Sequence, residues 1–318
     1  METRALGTSS LTVSATGLGC NNFGRAGTLT ETQEGTTAVV HAAIDHGITL
    51  FDTADIYGKE FGLSESMLGQ ALRGRRDEVV IATKFGHDPM APELAGGAAK
   101  GSRAYIRAAV EGSLARLGVE TIDLYQQHSP DPHTPIEETL AALDELVRDG
   151  KVRQIGNSNF DAAGLEAADH AAIASGTARF VSAQNQYNLL DRSAEDEVLP
   201  AAKRLGLGFL PYFPLANGLF TGKFTRTERP ADTRIARQRP QVADEAPWDA
   251  MEAFAAFCAT RGIGMLDATF GWFLSHPALS SVIAGATRPE QIAANAAAAD
   301  RWRPSDAERA EIERLFPR

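Results

Sequence analysis

The chain has 318 residues, 43% hydrophobic and 23% charged, with 31 Lys and Arg against 41 Asp and Glu for a formal net charge of −10. That length accommodates one large domain or two ordinary ones, and the composition is ordinary for a soluble globular protein. The acidic balance argues against a broad nucleic-acid surface, which needs clustered Lys and Arg, while leaving room for a local basic pocket around one anionic ligand.

Met1 to Ser10 has no apolar core of the kind a secretory leader carries, and no apolar run approaches membrane-spanning length. Two cysteines, Cys20 and Cys258, offer no disulfide framework and fit a reducing compartment. A cytoplasmic protein with no membrane and no nucleic-acid partner is the expectation.

In chain order, the opening "RALGTSSLTVS" reads as a β-hairpin turning at Gly7-Thr8-Ser9-Ser10. Eight short apolar runs follow: Thr16–Cys20, Ile48–Phe51, Val79–Thr83, Ile122–Gln126, Val152–Gly156, Phe180–Ala183, Gly208–Tyr212 and Ser281–Ala284. Longer segments with helical spacing of apolar residues separate them, as in Ala38, Ala42 and Ile44, or Ile106, Val110, Leu114 and Leu117. Thr134-Pro135 places Pro at an expected first helical position, with Glu137 and Glu138 in the first turn. Gly47, Gly118, Gly150 and Gly206 stand where helices hand over to strands, as C-terminal caps require. Strands that mostly lack polar alternation imply a parallel sheet covered on both faces. Eight strand–helix units imply an α/β fold, a (β/α)₈ TIM barrel forming a single domain over residues 1–318. The competing doubly wound sheet would carry G-x-G-x-x-G after an early strand, and "TGLGCNNFG" has the wrong spacing. Thr225 to Pro247, rich in Pro, Arg and Asp, follows the seventh strand and is too long for an ordinary connection, so it reads as a functional loop.

In such a barrel the C-terminal strand ends converge on one mouth. Strand two is followed by Asp52 and Tyr57, strand three by Lys84, strand four by His128, strand five by Asn157, Ser158 and Asn159, strand six by Gln184 and strand seven by Tyr212. Singly, each has an ordinary reading: a cap, a snorkelling lysine, a rim tyrosine, a structural histidine. Jointly, they describe a reaction site. A phenol with a pKa of about 10 is a poor proton donor near neutrality, and an ammonium beside it would lower that value. Asp52 would hold Lys84 charged, His128 would orient a carbonyl, and Tyr57 would protonate its oxygen. A hydride donor is the missing half.

The motifs "RALGTSSLTVSATGLGC", "LFDTADIYG", "VVIATKFG", "IDLYQQHSPD", "GNSNF" and "YFPLANGLFTGKF" occur in an order that resembles the aldo-keto reductase family along essentially the whole chain. The resemblance implies an enzyme reducing an aldehyde or ketone with NADPH, or less often NADH, and a catalytic tetrad of Asp52, Tyr57, Lys84 and His128. It also implies that Ser158, Asn159 and Gln184 hydrogen-bond the nicotinamide carboxamide and that Tyr212 stacks on its ring. Pro214, Leu215, Asn217 and Lys223 match pyrophosphate positions, and Gly285, Thr287, Gln291 and Asn295 match adenosine-phosphate positions. No metal is implied. Many relatives place Lys or Arg where this chain has Gly285 and Gln291, which leaves Arg288 and the loop arginines Arg234, Arg237 and Arg239 to compensate. The chain is also similar, through "SPDPHTPIEET" and "GATRPEQ", to the beta subunits of voltage-gated potassium channels, cofactor-binding partner proteins with weak reductase activity. Those carry Asn where this chain has His128, so the full tetrad favours a working enzyme. A hydrolase or lyase built on Asp52 and Asp55 has no supporting metal-ligand cluster in the sequence. The substrate pocket is expected from Asn22, Phe23, Phe85, Phe220 and Trp248, which together suggest an apolar, aromatic site for a small carbonyl compound.

Overall fold

A computed structural model describes residues 1–87 and 90–318. Two short strands, β1 (Thr3–Ala5) and β2 (Thr12–Ser14), pair antiparallel as the expected hairpin. Eight parallel strands follow: β3 (Thr16–Gly19), β4 (Leu50–Asp52), β5 (Val80–Phe85), β6 (Ile122–Gln127), β7 (Val152–Ser158), β8 (Ser182–Gln186), β9 (Gly208–Tyr212) and β10 (Val282–Gly285). Their order is β10-β3-β4-β5-β6-β7-β8-β9. The seam between β9 and β10 is stitched at Phe209, whose N–H donates to Ala278 O at 3.0 Å and whose carbonyl accepts from Ser280 N at 3.0 Å. This is the expected barrel, nearly closed and surrounded by helices.

Side chains fill the barrel from below. Leu50, Ala82, Leu124, Leu210 and Ile283 meet Leu6, Leu11 and Val13 of the hairpin in one buried cluster. Burying such surface is the main favourable term in folding. The hairpin turn fits this end closely. Gly7 has φ +57°, and a Cβ there would lie 2.4 Å from Val181 O. A second, larger cluster lies between the barrel and its helices and includes Phe23, Phe51, Phe85, Tyr125 and Phe209.

Several strands extend beyond their apolar runs. Asp52, Lys84 and Gln184 lie within β4, β5 and β8 rather than after them, because a parallel ladder continues through any residue whose N–H and C=O stay paired. Helix Ile136–Arg148 starts one residue later than expected, with Pro135 as its N-cap. The long segment after β9 is also more regular than a loop. It contains the short helices Arg234–Gln238 and Pro240–Asp244, pinned by buried Ile235 and Ala243 and by Trp248 Nε1 donating to Ala243 O at 3.0 Å.

Candidate active site

The floor of the mouth is a buried polar layer. Lys84 on β5 is partnered in register by Gln126 on β6, and Gln126 by Gly156 on β7. A Cβ on Gly156 would come within 2.3 Å of Ser182 Oγ and 3.2 Å of Gln126 Cγ, so glycine there makes room for the glutamine. Lys84 is fully buried. Its Nζ donates to Asp52 Oδ1 at 2.8 Å, Asp52 Oδ2 at 2.7 Å and Thr53 O at 2.8 Å. Gln184 Nε2 adds a fourth bond to the layer, donating to Asp52 Oδ1 at 2.9 Å. Burial alone would lower the lysine pKa, but Asp52 and Tyr57 more than offset it and the net direction is up. The ammonium therefore stays charged.

Tyr57 stands over this layer on the segment that follows β4. Its ring centroid is 5.1 Å from Lys84 Nζ and 5.8 Å from the His128 ring, edge-on at 82°. A neighbouring ammonium is expected to bring the phenol below its usual value, and here the site differs. Burial raises the Tyr57 pKa above 10, and the opposing pull of Lys84 and Asn21 recovers only part of that rise. Lys84 acts in the expected direction, yet desolvation of the phenolate is the larger effect. The hydroxyl consequently remains protonated through neutral pH.

His128 follows β6, its backbone N–H donating to Phe85 O at 2.8 Å. Burial first, then the positive charge of Lys84 and the neighbouring His87, holds its pKa well below 6.5. It is a neutral imidazole at neutral pH. The two histidine rings lie 4.5 Å apart, and His87 Nδ1 is 2.8 Å from Ser129 Oγ.

Asp52, Tyr57 and His128 open onto a cavity of about 1400 Å³, with Lys84 behind the wall. The same cavity is lined by Ser158, Asn159, Gln184, Tyr212, Pro214, Leu215, Asn217, Lys223, Gly285, Thr287, Arg288, Gln291 and Asn295. The structure thus gathers every one of these widely separated positions at one mouth. Their hydrogen bonds are already partly committed. Ser158 Oγ donates to Gln184 O at 2.8 Å, Asn159 Nδ2 donates to His128 O at 2.9 Å, and Tyr212 OH donates to Asn159 Oδ1 at 2.9 Å. Asn159 so ties three strand ends together, from a left-handed backbone at φ +62°. Gln291 Oε1 accepts from Thr287 N at 2.7 Å, closing the first turn of helix Pro289–Arg301. Arg288 reaches across to Asp232, 3.3 Å away on the segment after β9.

The expected aromatic pocket is not there. Phe23, Phe85, Phe220 and Trp248 are buried among the barrel, helices and C-terminal segment: Phe85 stacks on Tyr125, and Phe220 packs edge-on against Phe254 and Phe316. Only Asn22 of that set lines the cavity, together with unanticipated Asn21, Arg25, Ile56, His87 and Phe213. Asp55 is not a partner for Asp52. It lies outside the cavity lining, fully buried, where Glu65 and Arg116 act on it.

Comparison with known proteins agrees with this geometry. A model of the aldo/keto reductase family matches residues 15–316. The chain is 39% identical over 300 residues to the uncharacterized oxidoreductase YrpG of Bacillus subtilis (strain 168), covering 92% of this chain and 89% of the relative. It is 32% identical over 326 residues to the L-glyceraldehyde 3-phosphate reductase of Escherichia coli (strain K12), covering 98% and 92%.

Proposed function

As the chain belongs to the aldo/keto reductase family, and is by that membership an NAD(P)H-dependent carbonyl reductase, we propose that NADPH is its cofactor and Tyr57 its proton donor. The observation that carries this reading is the Tyr57 hydroxyl, kept protonated by burial while the buried Asp52–Lys84 pair stands ready to stabilise the phenolate it leaves behind.

The cavity suits a dinucleotide. Backbone in the left-handed region clusters after β9, at Phe213, Ala216 and Asn217, with φ of +53°, +45° and +60°. Such conformations are costly and concentrate at ligand clamps. Asn217 Oδ1 is buried there with no hydrogen-bond partner among the described residues. Across the mouth, a 13-residue helix opens at Arg288, where its dipole and free N–H groups favour an anion. Ser158, Asn159 and Gln184 offer hydroxyl and amide groups matched to a carboxamide, and Tyr212 offers an aromatic face. Arg288 supplies the charge for a 2′-phosphate, since Gly285 and Gln291 supply none.

A reduced nicotinamide bound there supplies a hydride to the carbonyl carbon. The chain's own part is to orient and protonate. His128, neutral, can donate one hydrogen bond to the carbonyl oxygen, and Tyr57 gives that oxygen its proton. Lys84, an ammonium already buried and paired with Asp52, then offsets part of the cost of burying the phenolate.

Incubation with NADPH and a panel of aldehydes and ketones, followed at 340 nm with identification of the alcohol, tests the reading. One alcohol formed per NADPH consumed supports it. Binding of NADPH with no turnover of any carbonyl would favour a partner protein of the channel beta-subunit kind instead.

A further inference from the structure

The exits from β3 and β4 meet above the polar layer. Gly19 on β3 is the register partner of Asp52 on β4. The chain leaves β3 through the 3₁₀ turn Cys20–Asn22, and leaves β4 through the segment that carries Tyr57. Ser64, buried at the start of helix Leu63–Ala71, fastens these two exits to each other. Its N–H donates to Tyr57 O at 3.0 Å, and its Oγ donates to Cys20 O at 2.9 Å. That hydroxyl has one proton to give, so Thr53 Oγ1, 2.9 Å away, donates to Ser64 Oγ. On the other side, Asn21 O accepts from Arg25 Nε at 2.7 Å. The backbone is thus held on both sides of the Asn21 side chain, which lines the same cavity as Tyr57. Asn21 Oδ1 is buried with no hydrogen-bond partner among the described residues. An amide placed to complete the fold normally has that oxygen bonded.

We propose that Asn21 is a further catalytic residue, whose Nδ2–H donates to the Tyr57 phenolic oxygen and holds the negative charge left there when the proton moves to the substrate carbonyl. The proposal rests on the carbonyl-reductase reading with Tyr57 as proton donor.

As hydride arrives at the carbonyl carbon, the phenol O–H bond breaks, its electron pair stays on Tyr57 Oη as phenolate, and the proton forms the alcohol O–H. Burial is the largest influence on that phenol and raises its pKa, while Lys84 first and then the Asn21 side chain act against it. A donor favours the phenolate and an acceptor favours the phenol, so Nδ2 is the end of the amide that meets Tyr57. Oη then accepts from Asn21 and keeps its own proton for the carbonyl. The bond strengthens as charge develops on Oη, so it stabilises the transition state more than the ground state. Because the amide is neutral, it does this without burying another charge. A bond from Asn21 to the substrate alone would leave the Tyr57 pKa unmoved, and the test separates the two roles.

Tyr57 is titrated through the ultraviolet absorbance of tyrosinate in cofactor-free native protein, Asn21→Leu and Asn21→Asp. Each is measured against the same protein carrying Tyr57→Phe, so that one phenol of the chain's five is read. Asn21→Leu is expected to lower the ionisation constant of Tyr57 ~10-fold, as the loss of one hydrogen bond to a charged group does. Asn21→Asp, of native shape but with a carboxylate beside the phenolate, should lower it further. With a carbonyl the native protein reduces, kcat should fall ~10-fold in Asn21→Leu and further in Asn21→Asp, and the basic limb of the profile should move to higher pH. NADPH affinity, read by fluorescence, should stay near native and shows that the variants are folded. A Tyr57 ionisation constant unchanged in both variants overturns the proposal, and any loss of kcat would then mean that Asn21 touches the substrate. A lowered constant with undiminished kcat also overturns it. If the native protein reduces no carbonyl, the carbonyl-reductase reading fails by itself, while a lowered constant still supports the bond from Asn21 to Tyr57.

Discussion

Tyr57 sits between two opposed influences, and their balance makes a definite statement about pH. Burial raises its pKa while Lys84 lowers it. In Lys84→Met the lowering influence is gone, so the basic limb of the kcat/KM profile should move to higher pH while the maximum falls, because the phenol has become a weaker acid. Asp52 is left without its partner, and stability should drop by about 3–5 kcal/mol, to be read separately by urea unfolding. An unmoved basic limb would confine Lys84 to a structural role. Asp55 gives a second test of the same physics. Burial and the Glu65 carboxylate push its pKa to about 8 from 3.8, and neither carboxyl oxygen has a hydrogen-bond partner among the described residues. Folded protein holds this proton up to about pH 8, and unfolded chain releases it near pH 4. Stability should therefore fall as pH rises across that window, by at most about 1.4 kcal/mol per pH unit. An amide resembles the protonated acid, so Asp55→Asn should flatten the decline of the urea midpoint between pH 5 and 8. Parallel curves for the two proteins would contradict the assignment. Residues such as Asp52, Tyr57, Lys84 and His128 were legible in the sequence because a charged or phenolic group at the end of an apolar strand breaks the local pattern. Gln126 was not, since one amide inside "IDLYQQH" looks like any strand end until its neighbours in the barrel are known.

Among the elements, the segment after β9 lines much of the cavity and was the least legible. Its composition announced a functional loop, but its two short helices are fixed by contacts distant in sequence, such as Arg25 with Gln238, which no local pattern encodes. The misplaced aromatics have a similar cause. Hydrophobicity says that Phe23, Phe85, Phe220 and Trp248 are buried, not whether they face the mouth or the layer between barrel and helices. The Arg288–Asp232 pair links this segment to the helix after β10, with both side chains more than half exposed. An exposed pair of this kind is worth about 0.2–1 kcal/mol. If Arg288 meets the 2′-phosphate, Asp232 competes for it. Asp232→Asn should then tighten NADPH by about 1.4–5-fold, the range those energies convert to, and leave NADH unchanged. Arg288→Ala should weaken NADPH alone. Equal changes for the two cofactors in fluorescence titration would make Arg288 a structural residue.

At the scale of the molecule, the barrel divides its labour by end. The hairpin and an apolar cluster close the N-terminal end, and the polar layer, the arginines and the tyrosine occupy the C-terminal end. This division was readable from eight apolar runs and their intervening helical periodicity, because a parallel sheet buried on both faces leaves few alternatives. Among the described residues no helix is long and apolar enough to cross a membrane. The central claim is that this mouth protonates a carbonyl oxygen through Tyr57 while a bound nicotinamide reduces the carbon. Single-turnover oxidation of protein-bound NADPH by a carbonyl the native protein reduces, compared between native protein and Tyr57→Phe, tests it most directly. The account predicts that Tyr57→Phe binds NADPH with near-native affinity and oxidises it ~10²–10⁴-fold more slowly. A Tyr57→Phe rate within a few-fold of native would contradict it.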